Sequence, residues 1–231
     1  MTTAAVVPAA GRGERLGPGA PKALRTLGGQ PMLVHAVHAL ASARSVDLVV
    51  VAAPSEEVDA VRHLLAPVTG DTSLVVVAGG ETRQDSVAAA LQALPPEVDV
   101  VLVHDAARPL APSDLVDSVA ATVRSGASAV VPGVALPDTV KQVDPAGRVE
   151  VTLDRDALRA IQTPQGFRRD VLEAAHARAS LVATDDAGLV EAMGETVLVV
   201  AGSEEAFKVT RPIDLLVAET VLARRRAGGS A

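Results

Sequence analysis

Ala4-Ala5-Val6-Val7-Pro8-Ala9-Ala10-Gly11-Arg12-Gly13-Glu14-Arg15-Leu16-Gly17 is the stretch on which the fold turns. Ala4–Val7 is apolar at every position, as a strand buried on both faces of a parallel sheet must be. A loop of small residues follows it directly. In open α/β sheets ligands bind beyond the carboxyl ends of strands, so this loop is the first candidate site. It is not a dinucleotide fingerprint, because Leu16 stands where the third glycine must sit. No Gly-Lys-Ser/Thr closes it, so it is not a P-loop either. It offers backbone that a ligand can approach closely and N–H groups that can face an anion. Arg12, Arg15 and, beyond Gly17-Pro18-Gly19-Ala20-Pro21, Lys22 add positive charge, which suits a triphosphate. The competing reading is a solvated loop with incidental charges, and the loop alone does not decide between them.

Outward from this loop, apolar runs alternate with amphipathic ones. Met32–Ala43 predicts a helix with Leu33, Val37 and Leu40 on one face. Asp47–Ala52 predicts a strand, and Ser55 caps a helix to Leu65 with Glu56 and Glu57 in its first turn. Strand Leu74–Ala78, helix Arg83–Leu94, strand Val98–His104, a helix capped by Ser113 and ending at Arg124, and strand Ala129–Val134 continue the rhythm. The implied fold class is α/β: a Rossmann-like, mostly parallel sheet with helices on both faces. Thr139–Asp154 then alternates with period two around Asp144-Pro145-Ala146-Gly147, a hairpin signal. We read one domain over residues 1–231, with a protruding arm over residues 136–158 inserted in it. Valines along one side of such an arm need cover, which predicts dimerisation through it. The alternative is a hairpin folded against its own domain. Helices Arg168–Ala179 and Asp185–Met193 (capped by Thr184), strand Thr196–Ala201 and a closing helix from Pro212 complete the chain.

Composition narrows the function classes. The 231 residues carry a formal charge of −7 and include 2 phenylalanines, no tryptophan or tyrosine, and no cysteine. Acidity argues against nucleic-acid and anionic-membrane surfaces, and the lack of aromatics argues against base-stacking platforms. The absence of cysteine excludes disulfides, thiolate catalysis and cysteine-ligated zinc. The first residues carry no basic segment, Pro8 breaks their apolar run, and no stretch is long enough to span a bilayer, so a cytoplasmic location is expected. Arg224–Arg226 read as complements to the end of a last helix.

Further segments add specificity: Pro21-Lys22, Gly79-Gly80-x-x-Arg83-x-Asp85-Ser86-Val87, His104-Asp105-Ala106-Ala107-Arg108-Pro109, Asp138-Thr139-Val140-Lys141, Thr163-Pro164-Gln165-x-Phe167, Thr184-Asp185 and Lys208-Val209-Thr210-x-Pro212-x-Asp214-Leu215. With the first loop, in this order, they closely resemble the 2-C-methyl-D-erythritol 4-phosphate cytidylyltransferase family of the non-mevalonate isoprenoid pathway. Ala23-Leu24 depart from the Gln and aromatic residue expected after Lys22. The resemblance implies a nucleotide-diphospho-sugar transferase-like fold and transfer of a cytidylyl group from CTP to methylerythritol phosphate. It implies that Ala9, Ala10, Gly11, Gly80 and Ser86 hold the cytosine and ribose. Arg15 and Lys22 would grip the triphosphate. Asp105, Arg108, Thr139, Arg155, Thr163 and Lys208 would bind the acceptor, with Thr139 and Arg155 reaching the neighbour's site in a homodimer. Mg2+ would accompany CTP.

The chemistry agrees with that assignment. A phosphate monoester is mostly dianionic at neutral pH, so no general base is needed. The barrier is repulsion between anions, which positioned cations lower. Arg15 and Lys22 serve the nucleotide, while Arg155 and Lys208 steer the acceptor. Asp85, Asp105 and Asp185 are the acidic candidates for a metal, with no choice among them. Bland readings also stand: Arg108 pairing with Asp105 to pin a loop, Lys208 exposed before a helix that Thr210 caps, and His104 as a structural hydrogen-bonding group. His35 and His38 lack a third ligand. The rival functions are a ribitol-5-phosphate cytidylyltransferase, a guanylyl transfer to a molybdenum cofactor precursor, a non-catalytic nucleotide-binding regulator and a dinucleotide-dependent dehydrogenase.

Overall fold

The computed structural model describes residues 1–11, 22–179 and 183–228. Strand β1 (Thr2–Pro8) lies inside the main sheet, and its side chains alternate between two cores. Ala5 and Val7 face one core, Ala4 and Val6 the other, so the run has to be apolar throughout. The short strands β2 (Thr26–Leu27) and β3 (Gln30–Pro31) form a small ladder before helix α1 (Met32–Ala41). Then come β4 (Leu48–Ala53), α2 (Val58–Leu65), β5 (Ser73–Ala78), α3 (Arg83–Gln92), β6 (Val98–Val103), α4 (Ser113–Arg124) and β7 (Ala129–Ala135). The hairpin strands are β8 (Lys141–Val143) and β9 (Val149–Thr152). They precede β10 (Arg159–Ile161), β11 (Gln165–Arg168), α5 (Arg169–Arg178), α6 (Asp186–Ala192), β12 (Val197–Ala201) and α7 (Pro212–Gly228).

The main sheet runs β10-β7-β11-β6-β1-β4-β5, with β12 on the other side of β7. Helices α1, α2 and α4 cover one face, while α3, α5 and α6 cover the other. β1 pairs with β4 on one side and with β6 on the other, both parallel. The chain order reverses there, and the crevice beyond the end of β1 opens at that point.

The structure corrects several expectations. β10 and β11 have no counterpart in the sequence reading, and both run antiparallel to their neighbours. Ser55 is not a cap: it opens a 3-10 turn after Pro54, and its hydroxyl donates to Glu56. Ser113 is likewise the first helical residue after Pro112, with no side-chain capping bond. In both places proline already sets the extended backbone that precedes a helix, which leaves the serine inside it. α6 is capped by Asp185, not Thr184. Before α7 the donor and acceptor roles are reversed, with the Thr210 hydroxyl and the Thr210 and Arg211 N–H groups all donating to Asp214.

Val143, Val149, Val151 and Leu153 are all exposed, as are Leu198 and Val199 on β12. Gly147 takes the positive φ that closes the turn, and Asp144 accepts hydrogen bonds from the Ala146 and Arg148 N–H groups.

Candidate active site

Three strand ends build the site. After β1 the chain turns away at Ala9, whose N–H donates to Ala52 O at 2.8 Å. After β5, Gly79 N–H donates to Ala53 O at 2.7 Å, and a tight turn leads into α3. Glycine is required twice in that turn. A Cβ on Gly79 would stand 2.7 Å from Ala10 Cβ, and one on Gly80 would stand 2.3 Å from Asp85 Cβ. Thr82 and Asp85 close a reciprocal capping box at the start of α3. Ser86 Oγ accepts from Gly80 N–H at 3.2 Å and donates to Thr82 O at 2.9 Å, which fixes the turn to the helix. A cleft of about 230 Å³ lies over these elements, lined by Ala9, Ala10, Gly11, Ala23, Arg83, Ser86, Asp105 and Lys208, among others.

A second cavity of about 190 Å³ shares Arg83, Asp105 and Lys208 with the first and extends to Arg108, Thr163, Gln165, Thr184 and Asp185. Asp105 follows β6. Its Oδ1 accepts from Arg83 Nε at 3.1 Å and its Oδ2 meets Lys208 Nζ at 2.7 Å. Burial opposes its ionisation, but Arg83, Lys208 and Arg108 outweigh it and hold the carboxyl well below its ordinary range. The Arg108–Asp105 pair of the bland reading is not formed. Arg108 instead donates to Ala206 O at 2.7 Å and Ile161 O at 3.1 Å, and its Nε is buried without a partner. Burial pushes its guanidinium down from the ordinary value.

His104 is fully buried between a carbonyl and a hydroxyl that settle its tautomer. Its Nε2 lies 3.2 Å from the Arg108 carbonyl, which can only accept, so Nε2 carries the proton. Burial pushes the imidazole down to about 4, so the ring is neutral and Nδ1 is an acceptor. Thr163 Oγ1, 3.2 Å from Nδ1, therefore donates there while accepting the Asp105 N–H at 3.0 Å. The hydroxyl proton of Thr163 is thus committed to the protein, and the group faces the cavity as an acceptor.

The structure brings Ala9, Ala10, Gly11 and Ser86 together in the first cleft and Arg108 and Thr163 in the second, with Asp105 and Lys208 in both. Gly80 stands beside them, its N–H on Ser86. Lys22 opens a 3-10 turn, Lys22–Leu24, whose next residue Ala23 lines the cleft. Arg12 and Arg15 lie outside the described residues. Thr139 and Arg155 line neither cavity, and both are exposed on the arm. Arg155 Nη1 donates to Pro137 O at 2.7 Å. Asp85 and Asp185 are taken up in helix caps. Among the described residues no group of three His, Asp or Glu side chains could hold a metal ion. No described helix is long and apolar enough to cross a membrane.

The sequence reading gave no role to Arg83, Asp186 or His176. Arg83 Nη1 donates to Asp186 Oδ2 at 2.6 Å, and Asp186 Oδ1 meets His176 Nε2 at 2.9 Å. Burial alone would lower the Arg83 guanidinium, but Asp186 and Asp105 raise it above its ordinary value. Burial likewise opposes ionisation of Asp186, and His176 and Arg83 hold it below the ordinary range. Of these three, Arg83 alone stands in a motif, Gly79-Gly80-x-x-Arg83.

The sequence model of one family, described as 2-C-methyl-D-erythritol 4-phosphate cytidylyltransferase, matches residues 3–224. A protein of that name from Streptomyces coelicolor is 60% identical over 97% of this chain and 86% of its own. One from Frankia casuarinae is 62% identical over 96% of this chain and 81% of its own. The crystal structure of the 4-diphosphocytidyl-2C-methyl-D-erythritol synthase from Anaerococcus prevotii superposes with a TM-score of 0.84 at 28% identity, covering 96% of this chain and 98% of the other. That of the cytidylyltransferase from Thermus thermophilus gives 0.76 at 36% identity, over 96% and 98%.

Proposed function

Because the chain belongs to the 2-C-methyl-D-erythritol 4-phosphate cytidylyltransferase family, we propose how its own residues divide the transfer of a cytidylyl group from CTP to methylerythritol phosphate. The observation that carries the assignment is the shared wall of Arg83, Asp105 and Lys208 between two adjoining cavities. One cavity is backed by small residues and backbone, the other by polar side chains.

Ala9, Ala10, Gly11, Gly80 and Ser86 form the nucleoside pocket, where the absence of bulk lets cytosine and ribose approach the backbone. Arg15 and Lys22 hold the triphosphate. Asp105 and Thr163 accept hydrogen bonds from acceptor hydroxyls. Arg108, with its unpartnered buried Nε, and Lys208 face the acceptor phosphate. An oxygen of that phosphate attacks the α-phosphorus of CTP and forms a new P–O–P link. The bond from the α-phosphorus to the oxygen bridging it to the β-phosphorus breaks, and pyrophosphate leaves with that electron pair. The acceptor needs no base, since its phosphate is already mostly dianionic. The protein supplies cations to the phosphoryl oxygens and alignment for the attack. His104, neutral and bonded on both nitrogens, fixes Thr163 and takes no proton from substrate.

Asp105 is committed to two cations, and Asp85 and Asp185 to helix caps, so these carboxylates do not fit a resident metal. Mg2+ is assigned to the substrate, entering as its complex with CTP. The exposed valines of the arm are assigned to a homodimer, in which Thr139 and Arg155 serve the second copy's acceptor pocket.

The test is pyrophosphate release from CTP and Mg2+ with methylerythritol 4-phosphate, run beside ribitol 5-phosphate and beside ATP, GTP and UTP. Release confined to CTP with methylerythritol phosphate is expected. Release with ribitol phosphate alone would reassign the acceptor.

A further inference from the structure

Of the three residues in the shared wall, Arg83 has no part in the chemistry above. It is held at two points, by Asp105 through Nε and by Asp186 through Nη1. The far anchor is built on packed helices. Asp186 is the first residue of α6 and is 1% exposed, and its second oxygen is taken by His176 of α5. Arginine is suited to this place because its donors lie in one rigid plane and leave in fixed directions. Lysine, a single flexible point charge, cannot serve two carboxylates in fixed directions at once.

We propose that Arg83, anchored on Asp186, is a positioning residue for the acceptor: it occupies Asp105 Oδ1 and leaves Oδ2 as the one oxygen that exchanges between Lys208 and an acceptor hydroxyl. Without Arg83 the carboxylate is free to rotate and turn both oxygens to Lys208, which keeps the lysine from the phosphate. With Arg83 in place, an arriving hydroxyl takes Oδ2 and frees Lys208 for the phosphoryl group. Nucleotide binding uses other groups and is untouched. The inference rests on the reading that Asp105 binds the acceptor.

The test is a double-mutant cycle on the full chain, with Arg83→Lys, Asp105→Ala and the pair, read as KM for acceptor, KM for CTP and kcat. Arg83→Lys is expected to raise the acceptor KM about tenfold, and about twofold or less in the Asp105→Ala background, the non-additivity of residues that act through each other. The CTP KM stays within about twofold throughout, because uniform losses and acceptor-specific losses separate in these constants. An equal loss in both backgrounds would overturn the proposal, since Arg83 would then act without Asp105. An unchanged acceptor KM in Asp105→Ala alone would instead remove the reading of Asp105 itself, and the proposal with it. Should Arg83→Lys fail to fold, Asp186→Asn keeps the shape and loosens the anchor. A rise in acceptor KM alone supports the proposal, and an equal rise for CTP refutes it.

Discussion

Acidification from pH 7 to pH 5 destabilises the protein through one histidine. His104 is fully buried, with its pKa lowered from 6.5 to about 4 by loss of hydration. The unfolded chain therefore takes up the proton first. Stability is fully present above the unfolded value, falls as pH drops through the interval from 6.5 to 4, and levels off below it. At about 1.4 kcal/mol per pKa unit the whole interval is worth roughly 3 kcal/mol, and the part between pH 7 and pH 5 about 2 kcal/mol. Asp105 and Asp186, held low by their cationic partners, lose their contributions only near and below the ordinary carboxylate range. The window above pH 5 thus lies above both of these carboxylates. The assay is urea unfolding followed by circular dichroism at pH 7, 6 and 5, on the wild type and on His104→Gln, which cannot titrate. The variant is less stable at pH 7 but flatter, and the difference between the two slopes is the histidine's share. Equal losses from pH 7 to pH 5 in both proteins would refute a neutral, buried His104.

Other consequences follow from the same geometry. Gly80→Ala drives a methyl group against Asp85 and strains the capping box, so stability falls by about 1–3 kcal/mol and the CTP KM rises; an unchanged melting temperature and KM would exclude the clash. Lys22→Ala lowers kcat by roughly two to three orders of magnitude with an unchanged circular dichroism spectrum, and near-normal turnover would remove its assigned role. Val149→Asp with Val151→Asp places two charges on the exposed side of the arm, and light scattering is expected to show monomers with a raised acceptor KM; a persistent dimer would place the interface elsewhere.

Periodicity made the β–α alternation through β7 readable because β1, β4, β6 and most of β7 are buried on both faces and the helices between them on one. It failed at β11, which has no such pattern. Gln165-Gly166-Phe167-Arg168 becomes a strand by filling the gap between β6 and β7. Gly166 is there because a Cβ would stand 2.6 Å from Val119 Cγ1 on α4. Only the assembled sheet poses that constraint. The site divides in the same way. Asp105 stands out in its motif, and the cation nearest to it in sequence is Arg108, its partner in the bland reading. The partners in the fold are Arg83 and Lys208, brought in from distant parts of the chain. Sequence neighbourhood misled there because Arg108 is turned away by the Ala206 and Ile161 carbonyls.

The stem of the arm has a consequence for how such a chain changes over time. Ala135 and Arg159 are register partners across β7 and β10, so the chain leaves the sheet and returns to it at adjoining positions, about 5 Å apart in an antiparallel pair. A hairpin turn of two residues spans that gap. Everything between can therefore lengthen, shorten or be exchanged without moving the strand ends that hold the nucleotide pocket. Under the proposed arm-mediated dimer, two diverged copies of the gene in one cell would keep their products from mixing by altering the exposed valine face of this segment alone, with Thr139 and Arg155 kept for the acceptor in both.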